Sequence, residues 1–585
     1  MKTEWSALTM LLVLFVGLAT LYNAAVPLGE GPDELGHAGY VFFLAHEGRL
    51  PVQCTAPCES DVPGEGHQPP LAYLLALPAV AWLPTDEQIL DWPGNARFVW
   101  AGGDQVNALA HGSRELWPWH GKVLAWHLVR GVSTLWGALT VLFVFLAARR
   151  LLVAAAFPAA LVTAFNPQML FTAAIASNDA LLIALGAVLV WLLLGRDSGG
   201  RQVAAIGVTL GLALITKQSA LIFVPLVLLW CVLHGRRHPT VILGRGAGIA
   251  AIVFILAGWW YLRNMQLYGD LLGLAVFKAE FTTQAFDSRT PQAWLAVFNQ
   301  LFASFWGRFG WMNVVSPLWM TAGYALLTLA ALGGLLIAMR RGTFPQPIWP
   351  LLLLPLLAML WLVAFALTAG LVAWQGRLIF PALPALAILL GVGLATLLRP
   401  APQPLAAVLV LLLLLPAAWA PQGVIAPAYP RHALSATQAQ ERIEHETFAR
   451  FARYTELGAE VRGWSMTGDL RPGATLDIGL IWHALSYQNR DWQVFVQLLD
   501  GRTLLAEDMR EPADGAFPMT QWMAGDWIET RHRLEVPADL APGAYTLKIG
   551  LADPAERRRA AYFNDYDVND PEGDSYDLAV LTITP

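Results

Sequence analysis

The chain has 585 residues, 56% of them hydrophobic and 14% charged, with a formal net charge of −6. Globular proteins carry roughly 45–50% apolar and about 25% charged residues. This composition excludes a cytosolic enzyme, a disordered chain and, with no basic block, a nucleic-acid binder. The charges are also unevenly placed. They make up roughly 24% of residues 422–585 and under about 10% of residues 1–421, against the same norm. The pattern is that of a membrane-embedded body followed by a soluble domain.

In chain order, an apolar run over 5–22 reads as an uncleaved first span, because further hydrophobic segments follow it. Segments long enough for a hydrocarbon core of about 30 Å then fall near 122–147, 151–166, 168–194, 202–217, 219–234, 241–262, 316–339, 347–370, 377–398 and 403–420. The count is about eleven spans. With Lys2 in the cytoplasm, Arg149-Arg150, Arg196 with Arg201, Arg236-Arg237, Arg340-Arg341 and Arg399 all fall on the inner side, as the positive-inside rule requires. The expected location is a multi-pass plasma (inner) membrane protein. Two long loops, about 23–121 and 263–315, and everything after the last span would lie outside the cytoplasm.

The expected domains are a transmembrane body over 1–421, a linker with an amphipathic helix over 422–455, and an extracytoplasmic β-sandwich or jelly roll over 456–585. Residues 474–485 and 492–499 show period-2 alternation, Asp500-Gly501 is a hairpin signal, and Pro542-Gly543 precedes another strand over 544–549. Glu441, Glu444, Phe448 and Phe451 suggest the amphipathic helix. Trp464, Trp482, Trp492, Trp522 and Trp527 read as sandwich core, with sugar stacking as the competing role. Asp565, Asp567, Asp570, Asp574 and Asp577 form an acidic run whose spacing is not that of an EF-hand. Cys54 and Cys58 are placed to pair if their loop is extracytoplasmic, and Cys231 reads as a core residue.

The chemistry collects at one face. Pro32-Asp33-Glu34 and His37 arrive as the chain leaves the first span, and their plain reading is a capped helix start with Asp33 as N-cap. At that position a carboxylate can also serve as general base or hold a divalent ion. His67-Gln68-Pro69-Pro70 precedes an apolar stretch over 71–83, too short to span and suited to the membrane interface. Lys122, His127, Arg130, Asn178, Asp179, Lys217, Arg263, Asn264, Gln375 and Arg377 fall at the outside ends of spans. Ionisable groups there are costly unless paired or lining a wet cavity. Their clustering at one side predicts an outward cavity with acids from the first loop and cations suited to phosphate.

These motifs together resemble a known family. Pro32-Asp33-Glu34 with His37, His67-Gln68-Pro69-Pro70-Leu71, Phe165-Asn166-Pro167-Gln168, Ser177-Asn178-Asp179-Ala180, Thr216-Lys217, Trp259–Asn264, Phe305–Trp311 and Gln375-Gly376-Arg377 recur in the order seen in the C-superfamily (GT-C) of membrane glycosyltransferases. That superfamily includes protein O-mannosyltransferases and the lipid A aminoarabinose transferase. The resemblance covers most of residues 1–400. It implies a polyprenyl-phosphate-sugar donor, a glycan, lipid or protein acceptor, and inversion at the transferred carbon. By position, Asp33 matches the first-loop base or metal ligand, with Glu34 beside it. Asp179 matches a second acid, and Lys217 and Arg377 match cations assigned to lipid phosphate. His67 stands where relatives carry Lys; Arg263 and Arg130 are added as further phosphate contacts, and His37 as a metal or substrate group. Mg2+ or Mn2+ held by Asp33, Glu34 and Asp179 is the implied ion, though Lys and Arg can serve a monophosphate without one. A flippase for lipid-linked glycans and a non-catalytic glycan-binding scaffold are the competing classes.

Overall fold

The computed structural model describes residues 2–55, 57–98, 106–195, 199–235, 238–280, 290–369, 374–399, 402–452, 458–488, 490–563 and 571–583. The chain divides into two compact units, Met1–Leu90 with Leu124–Ala428, and Asp91–Val123 with Tyr429–Pro585. The first is helical and the second β-rich, so the chain is a polytopic helical membrane protein with a C-terminal β domain.

The expectation that residues 1–421 form one body is corrected at 91–123, which folds with the β-rich unit. Polar pairing explains the change: Arg97 pairs with Glu511, Ser113 donates to Asp526, and Asn95 Nδ2 donates to the Gly515 carbonyl at 3.3 Å. Lys122 belongs to this unit too, with its ammonium 2.5 Å from Asp91.

Among the described residues, seven helices are long and apolar enough to cross a membrane: Glu4–Ala25, Gly121–Leu151, Pro239–Tyr268, Leu318–Arg340, Trp349–Leu367, Gly376–Leu398 and Gln403–Ala428. The expected number of eleven is not reached on this measure. Val153–Ala164 and Pro167–Ala173 form a pair bent by 64°, and Asp179–Leu193, Gly200–Leu214 and Gln218–His234 are shorter. A 15-residue helix is about 22 Å long, less than the core thickness of about 30 Å. Polar residues cause the shortening. Asn166 caps the helix that starts at Pro167 by accepting from Met169 N at 3.0 Å, while Asn178-Asp179 and Thr216-Lys217 stand at the other breaks.

Small residues let the helices close on one another. A Cβ on Gly334 would lie 2.1 Å from the Gly393 carbonyl oxygen, and one on Gly393 1.9 Å from that of Ala331. At one end of the bundle Arg149 reaches Glu4 at 3.0 Å, bringing the start of the first span beside the end of the next. Arg196 and Arg236-Arg237 lie outside the described residues.

The β-rich unit holds two antiparallel sheets. One runs in the order Ala561–Phe563, His445–Ala452, Ala459–Thr467, Thr475–Ala484, Trp527–Glu535, Ala433–Leu434. The other joins Arg558–Arg559, Gly543–Asp553, Gln493–Asp500 and Thr503–Arg510, with Tyr576–Ile583 also on Gly543–Asp553. Trp464, Trp482, Trp492 and Trp522 fill the core between the sheets, and Trp527 packs on a smaller cluster beside it. Large apolar rings are worth more buried there than stacked on a sugar.

Residues 431–455 do not form one amphipathic helix. The helix is limited to Ala436–Arg442, closed by a Ser435/Gln438 capping box, and His445–Ala452 is a strand. Ala449 and Phe451 alternate into the sandwich core, so period 2 prevails over the helical reading. The hairpin at Asp500 also differs in detail. Asp500 pairs with Thr503, so the turn residues are Gly501 and Arg502, and Gly501 alone of the two has a positive φ (55°). Of the acidic run, Asp565, Asp567 and Asp570 lie outside the described residues; Asp574 is 3.7 Å from Arg559 and Asp577 3.0 Å from Lys548. Cys54 and Cys58 form a disulfide, and Cys231 is buried.

Within the sandwich, His532 Nδ1 lies 3.0 Å from Asp508, and Arg510 Nη2 donates to the same carboxylate at 2.5 Å. Burial alone would raise Asp508, but the His532 and Arg510 contacts outweigh it and hold its carboxyl down at about 2. The sign follows from linkage. Asp508 stabilises the fold fully above the ordinary carboxylate pKa near 3.9, and that contribution is lost as pH falls from there through about 2. Thermal unfolding measured between pH 7 and pH 2 should show a smaller acid loss in Asp508→Asn than in the unaltered protein. Equal acid losses would remove Asp508 from the account.

Candidate functional site

The site begins with a buried ion pair. Arg130, on the helix Gly121–Leu151, and Glu34, opening the helix Glu34–Glu47, are both fully buried. Arg130 Nε and Nη2 donate to the two Glu34 oxygens at 2.6 and 2.7 Å. Its remaining hydrogens go to the carbonyls of Asn23, Val26 and Pro27. Glu34 also accepts from Trp126 Nε1, Ala176 N and Gly31 N. A buried charge persists only when paired and saturated with hydrogen bonds, and both groups meet that condition. The pair ties the end of the first span, the first-loop helix and the chain break at Ala176 together. Glu34 and Arg130 were expected at the chemistry; their contacts are those of a structural joint.

Asp33, the residue before Glu34, has a different environment. It occupies the N-cap position but makes no capping bond, and its backbone is left-handed (φ 62°, ψ 3°). For a residue with a Cβ that conformation is strained, and such strain gathers at functional sites. The side chain, 37% exposed, meets Arg377 Nη2 at 3.1 Å. Arg377 lies in the turn Gly376–Ala382, with Nε donating to Gln375 at 2.6 Å and Nη1 to Asp179 at 3.2 Å. Gly376 permits this turn: its N–H donates to Ser304 Oγ at 2.7 Å, and a Cβ would lie 2.4 Å from Phe305 N. Lys217 completes the row, its ammonium 2.5 Å from Asp179. Four residues from four distant segments thus alternate acid and base: Asp33, Arg377, Asp179, Lys217.

A third carboxylate stands beside them. Glu65, which the sequence reading passed over, lies with its Oε2 3.4 Å from His37 Nδ1. Gly36 makes room for it, because a Cβ there would meet Glu65 Cγ at 2.7 Å. The only local signal was an acid set between Gly64 and Gly66 just ahead of His67. His37 Nδ1 also meets the Tyr73 hydroxyl at 2.8 Å, and Asn178 Nδ2 donates to that hydroxyl at 3.2 Å. Burial, helped by the Lys217 charge, pushes His37 down to about 4. Burial and the neighbouring Asp33 charge push Glu65 well above the usual carboxylate range.

Donor atoms of Asp33, His37 and Glu65 all lie within 4.8 Å of one another. That set replaces the expected Asp33, Glu34 and Asp179, since Glu34 is spent on Arg130 and Asp179 on Lys217 and Arg377. The residues fit a divalent cation. Burial favours the neutral imidazole that ligation requires and opposes the ionised Glu65 that a cation would restore, and Glu65 Oε2 is buried without a hydrogen bond among the described residues. A nitrogen in the set suits Mn2+ better than Mg2+, which prefers oxygen.

The other expected phosphate contacts are engaged with other partners. His67 is buried with Nδ1 2.8 Å from Gln53 Oε1 and its ring against Phe277. Arg263 Nη2 donates to the Pro51 carbonyl at 2.7 Å and its guanidinium lies over the Trp260 ring. Both hold the loop containing the disulfide.

Breaking a buried pair costs roughly 3–5 kcal/mol. Arg130→Leu and Glu34→Leu should therefore each lower the unfolding temperature markedly, whereas Asp33→Asn, partly exposed, should leave it nearly unchanged. Differential scanning fluorimetry in detergent distinguishes the two, and an unchanged Arg130→Leu protein would refute the structural role.

Residues 125–261 match the family model described as dolichyl-phosphate-mannose-protein mannosyltransferase. The matched stretch contains Arg130, Asp179 and Lys217 and excludes Asp33, Glu65 and Arg377. No curated protein matches the chain in sequence. Among solved structures, it is similar to ArnT from Cupriavidus metallidurans bound to undecaprenyl phosphate (17% identity, 67% of this chain and 60% of that one, TM-score 0.41). It is also similar to the apo oligosaccharyltransferase of Archaeoglobus fulgidus (14%, 74% and 57%, 0.40). A third is the S. cerevisiae protein O-mannosyltransferase Pmt1-Pmt2 complex bound to the sugar donor (15%, 44% and 34%, 0.31). The chain thus spans 60% or less of the length of each. Over the stretch that the family model matches, the resemblance to GT-C membrane glycosyltransferases read from the motifs is met again.

Proposed function

We propose that the helical unit transfers a sugar from a polyprenyl-phosphate donor to an acceptor at the extracytoplasmic face of the membrane, with inversion at the transferred carbon. The observation that carries this reading is the row Asp33–Arg377–Asp179–Lys217, in which a partly exposed, strained carboxylate touches a cation suited to phosphate. Neutral glycan binding needs no such strain, and four of the five tryptophans a scaffold would use are in the sandwich core.

The chemistry follows. An acceptor hydroxyl has too high a pKa to attack unaided, so Asp33 takes its proton as the new C–O bond forms. The bond from the sugar carbon to the phosphate oxygen breaks on the opposite side, and the charge passes to the departing polyprenyl phosphate. Arg377 and Lys217, held in place by Asp179, stabilise that charge. A divalent cation on Asp33, His37 and Glu65 would supply electrostatic stabilisation of the leaving phosphate. The acceptor and donor enter from the side on which Asp33 is exposed.

General-base removal typically costs about 10^2–10^4 in rate. Asp33→Asn should therefore lose sugar transfer from polyprenyl-phosphate mannose by at least about 100-fold while keeping its unfolding temperature, and normal turnover would dismiss the assignment. Mn2+ should raise the unfolding temperature of the unaltered protein by linkage. His37→Ala and Glu65→Gln should abolish that rise; a rise that persists in both places the ion elsewhere.

A further inference from the structure

Asn178 is the N-cap residue of the helix Asp179–Leu193, yet its side chain makes no capping bond. It turns instead to the cluster: Nδ2 donates to the Tyr73 hydroxyl at 3.2 Å and lies 3.4 Å from Gln68 Oε1. These two contacts hold the amide hydrogens and fix which way the carboxamide faces. The carbonyl Oδ1 is then left buried with no hydrogen bond among the described residues, on a residue that is 0% exposed. An acceptor left this way costs about 1–3 kcal/mol, and native proteins keep such groups where something else completes them.

We infer that Asn178 Oδ1, with Gln68 beside it, receives a hydroxyl of the donor sugar and sets the enzyme's preference for a neutral, hydroxyl-bearing sugar. The inference rests on the transferase reading above. Asp179, the next residue in the chain, holds Lys217 and Arg377, the cations assigned to the donor phosphate. A sugar bonded to that phosphate lies next to it, and Asn178 is a neighbouring neutral group with an acceptor to spare, Glu65 Oε2 being assigned to the cation. The charge balance disfavours an acidic sugar. Lys217 and Arg377 already face Asp179 and Asp33 and take the phosphate as well, and a cation on Asp33, His37 and Glu65 is committed to the same phosphate, so a sugar carboxylate would be desolvated without a partner of its own, a heavy cost. A site built around a substrate hydroxyl also rejects the analogue that lacks it, because its own polar group is then stranded.

The test uses the full chain in nanodiscs with short polyprenyl phosphates carrying mannose, glucose or glucuronic acid, and then each monodeoxy analogue of the best donor. The unaltered protein should use a neutral donor over the glucuronyl one, and one monodeoxy donor should lose about 10- to 100-fold in kcat/KM. In Asn178→Ala, and in the smaller change Asn178→Ser, that same penalty should shrink towards one while the other monodeoxy donors keep theirs. Inhibition of the unaltered protein by the monodeoxy donors gives the same ranking if either variant fails to fold. Penalties unchanged at every position, or preference for the glucuronyl donor, would overturn the inference and leave the transferase reading standing. No transfer from any donor by the unaltered protein would remove both.

Discussion

Taking a charge out of water is the costliest act in this molecule, and the site is arranged around how that cost is met. Glu34 and Arg130 are fully buried, and between them they satisfy each other and six further partners from the first span, the first loop, the helix Gly121–Leu151 and the break at Ala176. Because this joint anchors the residue directly after Asp33, the backbone at Asp33 can be held in a conformation it would not choose by itself. The two neighbouring acids therefore have opposite environments: Asp33 is partly open to solvent and Glu34 is sealed.

The same economy extends to the cations. Arg377 is shared between two carboxylates and Lys217 rests on one, so no positive charge in the row stands alone. Under the proposed function, an arriving phosphate would compete with carboxylates already in place, which would favour an anion that brings two or more oxygens to the guanidinium fork. Short helices serve this arrangement. Asp179–Leu193 and Gly200–Leu214 begin and end at polar residues that reach the cluster, and a longer apolar helix would have carried them past it.

Much of this was legible in the chain. Spans announce themselves by length and hydropathy, and Asp33, Asp179, Lys217 and Arg377 were visible as ionisable residues at span ends, where water is scarce. Strands were legible where apolar runs meet turn signals, as at Thr475–Ala484, although the middle of that strand is buried on both faces. What could not be read was partnership. Glu34 and Asp33 are adjacent and chemically alike, and nothing local tells which will meet a buried arginine nearly a hundred residues on. Glu65 was passed over because its role depends on the room Gly36 leaves, a contact between segments. The strand His445–Ala452 was mistaken for helix since Phe448 and Phe451 satisfy a helical spacing, until the sandwich core selects Ala449 and Phe451 by alternation. Residues 91–123 gave no sign of their allegiance, because the groups that claim them, such as Glu511 and Asp526, lie some four hundred positions away.

That last feature bears on how the polypeptide is made. The β-rich unit is assembled from two stretches separated by most of the transmembrane body, and the chain passes between the units at residues 90/91, 123/124 and 428/429. The early stretch, 91–123, is thus made some three hundred residues before the strands it groups with, and no single cut in the sequence carries the whole β-rich unit.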